Sequence, residues 1–201
     1  MKLYYAPGAC SQAPHIVLRE AGFPVELVKV DLAAKRTETG EDYRAINPKG
    51  SVPALGLEDG SVLTENAAIL QYIGDQTDGS LMPPLLTIKR YRLLEWLNYV
   101  ATELHKGFGP LWNPSTPDDF KAATRDVLGH KFDYVQGRIG EGPYLTGEDF
   151  TIADAYLFVI LNWTRIHDID LGRWPSLTAF VQRVRERPAV QEALKAEGLA
   201  G

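Results

Sequence analysis

Apolar and polar positions change rhythm along this chain. Residues 2–6 are apolar and aromatic and stop at Pro7-Gly8, which predicts a first strand. From Ser11 to Ala21 the spacing turns helical. Pro14 is tolerable only in a first turn, and Gly22 with Pro24 supplies the stop. Val and Leu recur over 25–32, predicting a second strand. Two strands joined by a helix should run parallel. A weak helical signal over 39–46 ends at Asn47-Pro48. A third strand is expected over 52–57, a hairpin turn at Asp59-Gly60 and a fourth strand over 61–63. An Ala-rich apolar helix follows over 65–75. The order β-α-β-α-β-β-α describes a small mixed sheet with helices on its faces.

Residues 76–86, with Asp, Gly, Ser and the pair Pro83-Pro84, read as a linker. Strand signals vanish beyond it. Helical periods run over 88–108, 117–139, 151–167, 175–187 and 189–197. Two domains are expected: an α/β domain over 1–80 and an all-helical domain over 87–201. No internal repeat or low-complexity segment interrupts them.

Composition narrows the function. Length allows two small domains, and 45% hydrophobic with 23% charged residues is a globular balance. The net charge is −5, and residues 1–80 carry seven basic against eleven acidic side chains. That argues against a nucleic-acid surface, which needs a basic face; the longest basic cluster is Lys35-Arg36. No apolar run approaches the ~20 residues of a spanning helix, so no membrane partner is expected. Pro7 and Gly8 interrupt the N-terminus before a signal peptide core can form, so the expected location is the cytoplasm. A single cysteine excludes an intramolecular disulfide.

That cysteine, Cys10, sits just before the first helix. Unpaired N–H groups and a partial positive charge there stabilise a thiolate and lower a thiol pKa. Ser11 is placed to cap the helix or to donate to the sulfur. A buried inert cysteine is the duller alternative, but a loop after Pro-Gly-Ala favours the reactive reading. Position 13 is Ala, so no Cys-X-X-Cys pair exists and any disulfide must form with an external thiol. Pro53 cannot donate to a ladder, which leaves Val52 with backbone groups able to pair with an extended peptide ligand; a cis bond is one option, a plain edge proline the other. Thr64-Glu65-Asn66 opens a helix whose N–H groups suit a carboxylate, while Glu65 suits an ammonium. Taken alone this is an ordinary helix start.

Together these parts resemble a glutathione transferase of the bacterial beta class. The resemblance rests on Lys-Leu-Tyr-Tyr-Ala-Pro-Gly-Ala-Cys-Ser at the start, on Asn47-Pro48-Lys49-Gly50-Ser51-Val52-Pro53-Ala54-Leu55, and on Trp96-Leu97-Asn98-Tyr99 with Thr102-Glu103-Leu104-His105-Lys106-Gly107. It covers essentially the whole chain. It implies a thioredoxin-like N-terminal domain, an all-α C-terminal domain and a homodimer. It also implies glutathione as co-substrate with no bound cofactor and no metal, and a small hydrophobic electrophile as second substrate. Cys10 would contact the glutathione sulfur or form a mixed disulfide with it. Val52 would pair with the cysteinyl backbone, Glu65 and Asn66 would hold the γ-glutamyl head, and Lys35 would meet the glycyl carboxylate. Family members often carry Gly or Ser at the position of Asn66.

Asn98, Thr102, His105 and Lys106 are spaced to share one helix face that looks toward Cys10, with His105 stabilising its thiolate or relaying its proton. Only the resemblance lifts His105 above the reading of a packed histidine, which His15, His130 and His167 keep. Glu103 points nearly the opposite way, so it is expected to reach a neighbouring subunit's glutathione amine. Thr151 and Asp154 have capping-box spacing and are read as structural. Phe108, Leu111 and Trp112 are expected to wall the electrophile pocket. The rival readings are a glutathione-dependent isomerase or dehalogenase, and a non-catalytic binding protein on the same fold.

Overall fold

A computed structural model describes residues 1–139 and 142–200. Residues 140, 141 and 201, within the range assigned to the helical domain, lie outside the described residues.

β1 (Lys2–Tyr5) leads into α1 (Gln12–Glu20) and β2 (Glu26–Asp31), and β1 and β2 pair in parallel. α1 stops where Gly22 takes a φ of +68°, beside the predicted Gly-Pro signal. A two-residue β3 (Arg36–Thr37) precedes α2 (Tyr43–Ile46), whose first turn is capped by Asp42 through the Arg44 N–H at 3.0 Å. β4 (Ala54–Gly56), β5 (Val62–Thr64) and α3 (Asn66–Gly74) complete the sequence. The sheet order is β3-β2-β1-β4-β5, with β4 antiparallel to both neighbours. The β4–β5 hairpin turns at Gly60, whose φ of +84° suits a residue without a Cβ.

β1 alternates its side chains as a strand must. Tyr4 joins Val28, Val30, Tyr43, Val52 and Ala54 on one face of the sheet. On the helical side α1 packs against α3, burying Ala13, Ile16, Val17, Ile69, Leu70 and Ile73. This is the predicted thioredoxin-like arrangement.

The chain divides into two compact units, Met1–Met82 joined by the residues from Arg185 on, and Pro83–Val184. The expected division placed everything after residue 87 in the second domain. The difference lies in α9 (Pro188–Ala196), which packs on α1. Arg187 grips Glu20 with two hydrogen bonds, Nη2 to Oε2 at 2.9 Å and Nε to Oε1 at 2.6 Å. Glu197 is buried against α1, bonded to His15 at 2.8 Å. Hydrophobic periodicity identifies the helix but not the surface it seeks.

The second unit holds α4 (Ile88–Tyr99), α5 (Gly109–Trp112), α6 (Asp118–Ile139), α7 (Ile152–Asn162) and most of α8 (Pro175–Arg185). α7 is apolar all round and buried at every position from Ile152 to Leu161, so it is the unit's central helix. Its start carries the predicted capping box: Asp154 accepts from the Thr151 N–H at 2.8 Å and hydroxyl at 2.6 Å, and from the Leu145 N–H at 2.8 Å. The helix expected over 88–108 is not uniform. α4 passes into a π-helical turn over Val100–His105 and a 3₁₀ turn over Lys106–Phe108.

Candidate functional site

Strand register gathers the N-terminal candidates at one end of the sheet. Tyr4 pairs with Ala54 and Ala54 with Thr64, so β1 runs out toward Cys10 where Val52-Pro53 enters and Glu65-Asn66 leaves. Tyr5 pairs with Lys29, so β2 ends on the same side and releases the turn that carries Lys35. Cys10, Lys35, Val52, Glu65 and Asn66 are therefore neighbours by topology.

Two of them hold unusual backbone. Lys35 has a φ of +55° and Glu65 a φ of +74°. Each costs on the order of 1–3 kcal/mol in a non-glycine residue, and such strain clusters where a ligand is held. The Val52-Pro53 peptide is cis. Tyr43 Oη and Asn47 Nδ2 both donate to the Ser51 carbonyl, at 2.8 and 2.7 Å, and fix the chain entering it. The Val52 N–H has no partner among the described residues. Its carbonyl differs from expectation, because it accepts the Cys10 S–H at 3.4 Å.

Cys10 itself corrects the sequence reading. It is buried, and burial pushes its thiol up to about 12. The N–H groups of Cys10 and Ser11 pull the other way and lose. At neutral pH the sulfur is therefore held as the thiol. Cys10 is thus an S–H donor, not the activated nucleophile that its helix-start position suggested. The Ser11 side chain neither caps α1 nor reaches the sulfur. Its hydroxyl accepts the Ala6 N–H at 3.1 Å and donates to the Ala6 carbonyl at 3.3 Å, closing the loop at its base.

Asn66 is the first residue of α3 and is buried, yet neither Oδ1 nor Nδ2 has a hydrogen-bond partner. An unpaired buried amide costs about 1–3 kcal/mol unless something satisfies it. Glu65 is exposed and paired with Lys49, which also donates to Thr64 Oγ1 at 2.9 Å. Lys35 donates to the Gly50 carbonyl at 2.8 Å. Lys49, Tyr43 and Asn47 were missed as contributors. Lys49 lay within a recognised motif, but nothing in spacing reveals which carboxylate it will meet.

The helical candidates belong to the second unit. His105 Nδ1 is hydrogen-bonded to the Tyr156 hydroxyl, and its ring stands edge-on to Trp163 with centroids 4.9 Å apart. Burial, with the Lys106 charge beside it, pushes the imidazole down to about 4. It is neutral at physiological pH and brings no positive charge to a thiolate, contrary to one of its two expected roles. The shared face of Asn98, Thr102, His105 and Lys106 assumed 3.6 residues per turn, and the i→i+5 winding over Val100–His105 breaks that phase. Asn98 donates to the Leu94 carbonyl at 2.8 Å and Thr102 to the Asn98 carbonyl at 3.0 Å, both on the exposed side. Lys106 is exposed. Glu103 pairs with Lys131 at 3.0 Å, which holds its carboxyl below the usual range. It borders an open groove of about 230 Å³ walled by Trp96, Tyr99, Thr102, Tyr134 and Arg138. Of the expected pocket wall, Phe108 and Leu111 are buried and only Trp112 is exposed. Among the described residues no cluster of three His, Cys, Asp or Glu side chains suits a metal, and no helix is long and apolar enough to cross a membrane.

A thioredoxin-like domain followed by a helical domain defines a transferase architecture. Residues 8–76 match the model of the glutathione S-transferase N-terminal domain, and residues 99–188 match that of the C-terminal domain. The chain belongs to the glutathione S-transferase family and to its bacterial beta class. It is 52% identical over 200 residues to glutathione S-transferase GstA of Escherichia coli O157:H7, covering 99% of this chain and 100% of the other. The crystal structure of a glutathione transferase from Methylococcus capsulatus superposes with a TM-score of 0.97 at 54% identity, over 98% of both chains. A sphingomonad glutathione S-transferase complexed with glutathione gives 0.95 at 47%, over the full length of both.

Proposed function

We propose that this protein conjugates the thiol of glutathione to small hydrophobic electrophiles in the cytoplasm, as a homodimer and without a bound cofactor. The observation that carries the reading is the buried, unpartnered Asn66 amide at the strained entry to α3. It offers a donor and an acceptor beside helix N–H groups. An amino-acid head, with its carboxylate and ammonium, satisfies all of them. The Val52 N–H then pairs with the peptide's cysteinyl carbonyl, and Lys35, held at the Gly50 carbonyl, supplies a cation for its terminal carboxylate.

In this reading the attacking sulfur is glutathione's own. Cys10, held protonated, donates its S–H toward that sulfur and stabilises it as a thiolate. His105, neutral and anchored by Tyr156, is suited to moving a proton rather than supplying charge. Disulfide exchange through Cys10 is secondary, because it needs the thiolate that burial suppresses. The isomerase, dehalogenase and non-catalytic readings are less favoured, since a full-length relative at 52% identity carries the transferase name. The groove beside Glu103, rimmed by the half-buried rings of Trp96 and Tyr99 and the exposed ring of Tyr134, supports a contact between subunits through which Glu103 meets the neighbour's ligand.

Retention on immobilised glutathione followed by aryl-halide conjugation tests the proposal. Asn66→Leu, which fills the space without polar atoms, should abolish retention and raise KM for glutathione at least tenfold, the equivalent of about one buried hydrogen bond. Normal glutathione affinity in that variant refutes the assignment.

A further inference from the structure

We propose that Tyr156 is a positioning residue for His105: its hydroxyl donates to Nδ1 and fixes the ring's one proton on Nε2, which makes His105 a hydrogen-bond donor to the substrates and not a base. The contact lies within the second unit. His105 closes the π-helical turn over Val100–His105, and Tyr156 stands on α7, almost fully buried. The two rings meet edge to face, with centroids 5.8 Å apart and planes at 82°. Trp163, just beyond α7, is also edge-on to the imidazole, at 75°. Two packed rings therefore hold the imidazole plane and keep Nδ1 on the hydroxyl. Nε2 of His105 has no hydrogen-bond partner among the described residues, and it is not sealed from solvent as Nε2 of His167 is.

A hydroxyl and an imidazole nitrogen can bond in either sense, and the sense decides what Nε2 can do. With the proton on Nδ1, Nε2 is bare and can take the proton of a thiol. With the hydroxyl donating, Nε2 carries the proton and can only give a hydrogen bond. Chemistry favours the second sense. A phenol, with an ordinary pKa of about 10, is a far stronger donor than the N–H of a neutral imidazole. A bare imidazole nitrogen, with an ordinary pKa of about 6.5, is a far stronger acceptor than a phenol oxygen. The ring has a single proton to place, because burial, with the Lys106 charge beside it, pushes the imidazole down to about 4. The only proton His105 can move is thus its own, toward an anionic atom of the substrates. It shares that proton without releasing it, and the proton of the glutathione thiol goes to solvent. This consequence rests on the conjugation reading; the placement of the proton on Nε2 does not.

The test is a long-range proton–nitrogen NMR spectrum of the full-length protein, labelled with nitrogen-15 at histidine and held at pH 7.5. His105→Phe identifies the signals of His105 by their loss. His15 provides the opposite pattern in the same spectrum, because its Nε2 accepts from Arg19 Nε at 3.0 Å and its proton must stand on Nδ1. The wild type should show a protonated Nε2 and a bare Nδ1 at His105; a proton on Nδ1 overturns the proposal. Tyr156→Phe removes the hydroxyl and keeps the ring. Its His105 signals should move to the average of two exchanging forms. Its kcat should fall about tenfold, the scale of one hydrogen bond, with KM for glutathione within about twofold of the wild type. An unchanged spectrum in Tyr156→Phe overturns the positioning role, and so does a lowered melting temperature with native kcat, since that is a packing effect alone. Should Tyr156→Phe not fold, the wild-type spectrum still decides where the proton stands. A wild type that conjugates no electrophile defeats the functional reading by itself, because the spectrum does not depend on turnover.

Discussion

Asp154 offers the sharpest check on the distinction between folding and chemistry. Asp154→Ala removes the acceptor of three buried hydrogen bonds, to the N–H groups of Leu145 and Thr151 and the Thr151 hydroxyl. A lost cap costs about 1 kcal/mol, and two buried N–H groups left unpaired add about 1 kcal/mol each at the low end. The expected loss is about 3 kcal/mol, or a melting temperature lower by roughly 6–12 °C in a protein of this size. The cost should depend on pH. Burial pushes the Asp154 carboxyl up to about 6 from 3.8. A raised folded-state pKa means that stability is fully present below the unfolded value and is lost as pH rises through the folded one. Wild-type stability should therefore decline by up to about 3 kcal/mol between pH 4 and pH 6.5, on the order of two pKa units. Asp154→Ala lacks that slope, so its deficit should be larger at pH 5 than at pH 7.5. Urea denaturation at the two pH values measures both quantities, and glutathione KM at a temperature where both proteins are folded should be unchanged. Native stability combined with lost activity would refute the argument, as would a deficit that grows with pH.

Three further outcomes follow from the structure. The rate of Cys10 alkylation should climb with pH through 9 without levelling, because burial holds the thiol near 12; a plateau with a midpoint near 7 would show an activated thiolate. His105 is held neutral with its pKa near 4, so its contribution to stability is present above 6.5 and lost as pH falls from there toward 4. His105→Phe should flatten that acid loss, and the pH–rate profile for conjugation should show no inflection at 6–7 that vanishes in the variant. Gly107→Ala would place a Cβ 2.8 Å from Leu128 Cδ2, and overpacking of that kind costs about 1–3 kcal/mol by chemical denaturation.

What could be read in advance followed from local signals. Pro7-Gly8 ended β1, Asp59-Gly60 turned the hairpin, and Thr151 with Asp154 marked the start of α7, each within a few residues of where the chain obeys it. Cys10 was placed at the right turn but with the wrong electrostatics. A helix start lowers a thiol pKa only while the sulfur keeps access to solvent, and burial is a property of the packed whole. β3, with two residues, has no period to detect. The partners of Lys49, of Arg187 and of Glu197 lie 16, 167 and 182 or more residues away, and no window of local sequence reports such pairings. Asn66 was suspected only through the family pattern. Its isolation among buried groups is what gives that suspicion a physical basis.

The π-helical turn over Val100–His105 acts as a phase shift in the longest helical run of the second unit. One extra residue is absorbed in a single turn, so everything downstream is rotated by about 100° relative to an uninterrupted α-helix. At the end of that turn His105 meets the Tyr156 hydroxyl, and just beyond it Phe108 enters the core. Shortening the turn by one residue would make a more regular helix and a misassembled one: hydrogen bonding along the backbone would improve while the side chains beyond it were dealt to the wrong neighbours.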